Sequence, residues 1–110
     1  MRFTLADLEK RVKARAKASA DKSYTRQLLD KGVSHCAKKF SEEAIETMLA
    51  AVGESRKRLI AETGDLFYHL LVVLKSRNIT LAEVEAELAR RQAQSGLQEK
   101  ASRKKKKVAR

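Results

Sequence analysis

The stretch Leu66–Leu74, LFYHLLVVL, leaves this chain few ways to fold. Wound at about 100° per residue, its apolar side chains cover nearly the whole circumference of a helix, with His69 as the one strongly polar interruption. A helix apolar on every side has to be covered on every side. The run is too short to cross a bilayer, which takes about 20 apolar residues, so the cover must be protein. The composition says what kind. There is no proline, only 4 glycines, and an abundance of Ala, Leu, Glu, Lys and Arg, all good helix formers. Strand alternation, a repeat of 20–50 residues and a glycine-rich phosphate loop are all missing from the sequence. The expected fold is all-α, a compact helical bundle of four to five helices. With 110 residues the core is modest, so completion by dimerisation is expected through Leu66, Phe67, Leu70, Leu71, Val73 and Leu74 of the fourth helix.

Start and stop signals divide the rest. Thr4 and Asp7 predict an N-cap for a first helix from Leu5 to about Ala18. SADKSY reads as a connection, and TRQLLDKG as a short helix stopped by Gly32, which Thr25 could cap. A third helix runs from about Ser34 to Val52 before Gly53. Its apolar set is Cys36, Phe40, Ala44, Ile45, Met48, Leu49 and Val52. The fourth runs from about Glu54 to Ser76. Thr80 and Glu83 predict a capping box for a fifth, with Leu81, Val84 and Leu88 facing inward.

Of the net charge of +11, +7 lies in residues 100–110, which contain no acid. Like charges in a run repel one another, so residues 97–110 are expected to be a disordered basic tail outside a domain of residues 1–96. Any contact with nucleic acid would be non-specific and through that tail. Cys36 is alone, which excludes an intrachain disulfide and fits a reducing, cytoplasmic location. The N-terminal MRFTLADLEK lacks the apolar core of a signal peptide, and no membrane partner is expected.

The acids are less evenly placed than a solvated surface requires. Glu42, Glu43 and Glu46 fall within a sector of roughly 100° on the third helix. Continuing down that sector come Ala50 and Gly53, small residues that would leave space beside the glutamates. Glu62 and Asp65 share a face at the entrance of the apolar helix, and His69 follows on nearly the same stripe, placed to orient Asp65. A short turn makes the third and fourth helices antiparallel. That brings Glu46 level with Glu62 and Glu43 level with Asp65. Convergent carboxylates need cations, and an all-oxygen set suits Mg²⁺, or Mn²⁺ in its place, better than zinc. The plainer alternative is that Lys38–Glu42 and Lys39–Glu43 are ordinary surface pairs worth a few tenths of a kcal/mol.

EEAIE followed by ETGD resembles the E-E-x-x-E … E-x-x-D pattern of the all-α NTP pyrophosphohydrolases, the MazG-like superfamily. SYTRQLLDKG, KKFSEEAIE, DLFYHLLVVL and SGLQEKASR narrow the resemblance to the phosphoribosyl-ATP pyrophosphohydrolase family, over about Leu5 to Arg103. The resemblance implies Mg²⁺-dependent hydrolysis of the α–β phosphoanhydride of phosphoribosyl-ATP, giving phosphoribosyl-AMP and pyrophosphate, the second step of histidine biosynthesis. It also implies a helical homodimer, and a stand-alone form without the cyclohydrolase domain to which some relatives are fused. On it, Glu43, Glu46, Glu62 and Asp65 are expected as metal ligands and Glu42 as water activator. Lys39, with Lys38, is expected at substrate phosphate. Tyr24, Thr25 and His69 are expected as substrate contacts or supports behind the ligands. Family members often carry Gly in place of Ser41 and Ala in place of Gly64; neither change removes a ligand.

Two rival readings remain at this level. One is a house-cleaning pyrophosphohydrolase of the same superfamily acting on free nucleotides. The other is a basic helical nucleic-acid-binding protein, which explains the Lys-rich tail, leaves the acids unexplained and lacks interleaved aromatics for stacking.

Overall fold

A computed structural model describes residues 2–92 and 96–109. They form six helices and no strand: α1 Leu5–Ala16, α2 Tyr24–Asp30, α3 Val33–Gly53, α4 Arg56–Ser76, α5 Leu81–Arg91 and α6 Gly96–Ala109. None is long and apolar enough to cross a membrane among the described residues.

Local chemistry sets the boundaries. Thr4 and Asp7 form the expected capping box on α1, and Thr80 and Glu83 form the one on α5. Gly32 precedes α3 with φ +94, a left-handed conformation that costs a side-chain-bearing residue far more. Helix α4 ends in a Schellman arrangement. Asn78 takes φ 56, and the Ile79 and Asn78 amides donate to the Leu74 and Lys75 carbonyls at 2.9 and 3.0 Å. The cap of α2 corrects the sequence reading. Ser23, not Thr25, accepts the Arg26 amide (3.1 Å), and its hydroxyl also donates to the Arg15 carbonyl (2.8 Å). One buried side chain therefore ties the end of α1 to the start of α2. Ser23→Ala is expected to lower stability by about 1–2 kcal/mol, read as a lower urea midpoint with an unchanged slope.

The core gathers where α1, α2, α3 and α4 meet: Val12, Leu28, Cys36, Leu71 and Val72, with Leu8, Leu29, Tyr68 and Val73 packed around them. Cys36 donates its thiol to the Leu28 carbonyl at 3.2 Å, joining α3 to α2. Glu9 of α1 accepts the first amide of α5, that of Leu81, at 2.7 Å.

Within one chain α4 is not covered all round, as expected of so modest a core: Leu71 and Val72 are buried, but Phe67 is exposed. One expectation is corrected here. On α3 the inner face is narrower than its apolar set suggests, because Ile45, Met48, Leu49 and Val52 all stand more than half exposed. Residues 96–109, which include most of the basic segment, are helical as α6. Its Ala, Gln, Glu, Lys and Arg residues have high helix propensity, and no proline interrupts them.

Candidate active site

Helices α3 and α4 form an antiparallel hairpin around the short turn at Glu54–Ser55. Its closeness has two visible causes. Ala50 is 1 % exposed, so the small residue read as open space beside the glutamates is instead where α4 packs. One turn earlier, the Thr47 hydroxyl reaches two backbone carbonyls, that of Glu43 on its own helix at 2.8 Å and that of Glu62 across the hairpin at 3.2 Å.

This register brings three carboxylates together. One oxygen from each of Glu43, Glu62 and Asp65 lies within 4.8 Å of the others. Glu46 adjoins rather than completes this trio. It lies beside Glu62, whose carboxyl it helps to raise, and shares a cleft of about 220 Å³ with Leu49, Glu54, Arg58 and Glu62. Glu42 stands one position before Glu43, paired with Lys39 at 3.4 Å. That contact spans three residues, so neither of the four-residue lysine pairs weighed from the sequence forms as written. Lys38 is exposed.

The electrostatics of the trio are strained. Burial, then the charges of Asp65 and Glu62, push the Glu43 carboxyl above the usual range. Glu62 is also raised, first by burial and then by the adjacent Glu46 carboxylate, against the opposing pull of Arg58. Arg58 bonds the Glu62 carboxylate and also reaches Glu54 at 3.4 Å. Sequence reasoning overlooked this arginine, although Glu54, Arg58 and Glu62 follow one another at successive helical turns. Two carboxylate oxygens, Glu43 Oε2 and Glu62 Oε2, are buried with no hydrogen-bond partner. Buried polar atoms are nearly always satisfied.

His69 is buried beneath this site. It was expected to orient Asp65. Its closest carboxylate is instead Glu43, with Nε2 3.9 Å from Oε1, although the Asp65 charge also reaches it. Burial dominates and lowers the imidazole pKa, which favours the neutral form. Tyr24 is half exposed and its ring stands nearly perpendicular to that of His69, while Thr25 is buried and hydrogen-bonded with the Tyr68 hydroxyl.

An antiparallel helical hairpin with acids from both helices converging at its middle defines an all-α protein with a carboxylate cluster. The chain belongs to the phosphoribosyl-ATP pyrophosphohydrolase family, whose pattern it matches over residues 5–92. It is 61 % identical over 103 residues to phosphoribosyl-ATP pyrophosphatase 1 of Bradyrhizobium diazoefficiens, covering 94 % of this chain and 97 % of that one. A phosphoribosyl-ATP pyrophosphatase of Azorhizobium caulinodans is 62 % identical over 102 residues, 93 % and 94 % of the two chains. One from Rhizobium meliloti is 54 % identical over 101 residues, 92 % and 94 %.

Proposed function

We propose that this chain hydrolyses the α–β phosphoanhydride of phosphoribosyl-ATP, releasing phosphoribosyl-AMP and pyrophosphate, in the second step of histidine biosynthesis. The observation that carries this reading is its likeness to phosphoribosyl-ATP pyrophosphatases along nearly the full length of both chains. A cytoplasmic location is part of this reading, and the single free cysteine suits it.

The carboxylate trio fits a hard divalent cation such as Mg²⁺. Its donors are all oxygen, they converge within 4.8 Å, and two buried oxygens lack any other partner. Glu43, Glu62 and Asp65 would hold it, with Glu46 alongside. When bound, such an ion neutralises diphosphate charge and makes a nearby water more acidic. The protein's own groups supply the rest. Glu42, beside the trio and accessible, accepts the proton of the attacking water. The water oxygen bonds to phosphorus as the bridging P–O bond breaks, and pyrophosphate departs. Lys39 exchanges its contact with Glu42 for substrate phosphate, which frees Glu42 for that proton.

The partner completing the fold is a second copy of this chain. It covers the exposed α3 stripe of Ile45, Met48, Leu49 and Val52, whose Leu49 also borders the acidic cleft.

The reading is tested by pyrophosphate release from phosphoribosyl-ATP and from a panel of free nucleoside triphosphates. Phosphoribosyl-ATP is expected to be preferred by roughly 100-fold or more in kcat/KM. Chelation with EDTA should abolish turnover and Mg²⁺ restore it. Equal rates on free nucleotides would favour the house-cleaning alternative, and full activity in EDTA would refute the cation.

A further inference from the structure

His69 is enclosed by aromatic edges from two helices. The Tyr68 ring meets it at 5.0 Å between centroids and 79° between planes, and the Tyr24 ring at 6.4 Å and 85°. Both are the edge-to-face arrangement that aromatic quadrupoles prefer. Tyr68 is fixed in turn, its hydroxyl oxygen 2.6 Å from Thr25 Oγ1, and Thr25 is only 4 % exposed. Residues of α2 and α4 therefore hold the imidazole plane between them.

That plane sets Nε2 3.9 Å from Glu43 Oε1. The distance is beyond a hydrogen bond but close enough to bias which way the carboxylate turns. The other oxygen, Oε2, is buried and unpartnered, on a carboxylate that reaches Glu62 and Asp65. The two oxygens of one side chain are thus distinguished. One lies 3.9 Å from the imidazole nitrogen and the other is buried without a partner.

We propose that His69, fixed by the Tyr68–Thr25 hydrogen bond, is a positioning residue that sets the rotation of the Glu43 carboxylate. Helix α2 acts on the cluster through this chain of contacts: Thr25 to Tyr68, Tyr68 to His69, His69 to Glu43. The inference rests on the divalent-cation reading of the trio. Supports behind metal ligands commonly alter affinity 10- to 100-fold when removed.

The test uses Mn²⁺ alone, titrated calorimetrically into the full chain without substrate, beside metal-free urea denaturation. His69→Phe keeps a ring for Tyr68 and Tyr24 to pack against but has no nitrogen. It is expected to weaken Mn²⁺ binding about 10-fold or more. Tyr68→Phe deletes only the hydroxyl and should weaken it in the same direction by a smaller factor. Thr25→Ser retains the hydroxyl and should bind like the parent. A purely structural role would move the urea midpoint and leave Mn²⁺ affinity in place. Should His69→Phe fail to fold, Tyr68→Phe and Thr25→Ser decide the matter. If the parent binds Mn²⁺ and both phenylalanine variants match it within two-fold, the positioning role is wrong and the cation reading stands. A parent that binds neither Mn²⁺ nor Mg²⁺ refutes the cation reading and this inference with it.

Discussion

Glu43→Gln is expected to abolish most turnover while making the metal-free protein more stable. If Glu43 holds the proposed cation, its loss should cost at least the upper end of what is seen for residues behind ligands, roughly 100-fold or more in kcat. The stability gain has a separate cause. Glu43 is held above its ordinary carboxylate range by burial and by the Asp65 and Glu62 charges, so its ionised form is disfavoured in the fold relative to the unfolded chain. The sign with pH follows from linkage. Below the unfolded value of 4.5 the group is protonated in both states and costs nothing. As pH rises from there through the folded value, the penalty develops, and it is complete above. Glu43→Gln should therefore match the parent near pH 4, melt higher at neutral pH without metal, and lose that advantage when Mg²⁺ stabilises the parent. Thermal melts at both pH values, with and without the ion, check all three. A variant less stable than the parent at neutral pH in EDTA would mean that the carboxylates are not in conflict.

That conflict has a structural source. The cations near the cluster pair with acids other than Glu43: Arg58 bonds Glu62 and Glu54, and the closest partner of Lys39 is Glu42. Glu43 is left with a buried imidazole whose pKa is lowered by its own burial. Local destabilisation of this kind at a functional site is a recurring trade of stability for activity. Here it keeps oxygens free that a folded core would otherwise satisfy.

Much of this was legible in the sequence. Helix starts were readable because Thr4, Thr80 and their partners three residues on are local signals. The approach of Glu43, Glu62 and Asp65 was readable too, because a short turn sets two helices antiparallel, although the expected fourth acid, Glu46, stands beside the three. The errors arose where local pattern meets tertiary context. Ala50 could be read as space or as close packing, and its burial decides for packing. Ser23 and Thr25 are both plausible caps; which serves depends on where α1 ends and where Tyr68 lies. Tyr68 reaching Thr25 across 43 residues has no periodic signature. The apolar stripe of α3 shows the limit most clearly. Periodicity says that a face is to be covered and not by what.

Val52→Arg is expected to dissociate the protein and reduce its activity with it. Ile45, Met48, Leu49 and Val52 recur at the spacing of one helical face, and Val52 is 84 % exposed in the single chain. Fully covering side chains of this size is worth about 1.5–3 kcal/mol each, so four of them give a second copy ample reason to bind even after the entropy of association. Arginine at position 52 removes one such contribution and sets an unpaired charge in the interface, enough to weaken dimerisation by about 100-fold. Val52 projects outward and is not one of the three acids, so the substitution leaves the trio itself in place. The neighbouring Leu49 borders the cleft with Glu46 and Glu62, and loss of the partner should therefore open one wall of the site. Sedimentation velocity and turnover, followed over the same dilution series, should fall together in the parent and be already low for Val52→Arg. Phe67→Arg on α4 is the matched comparison, because Phe67 is also exposed and α4 was the face favoured by the sequence. Dissociation by Phe67→Arg but not by Val52→Arg would return the interface to α4. A fully active monomer in either variant would show that each chain carries a complete site.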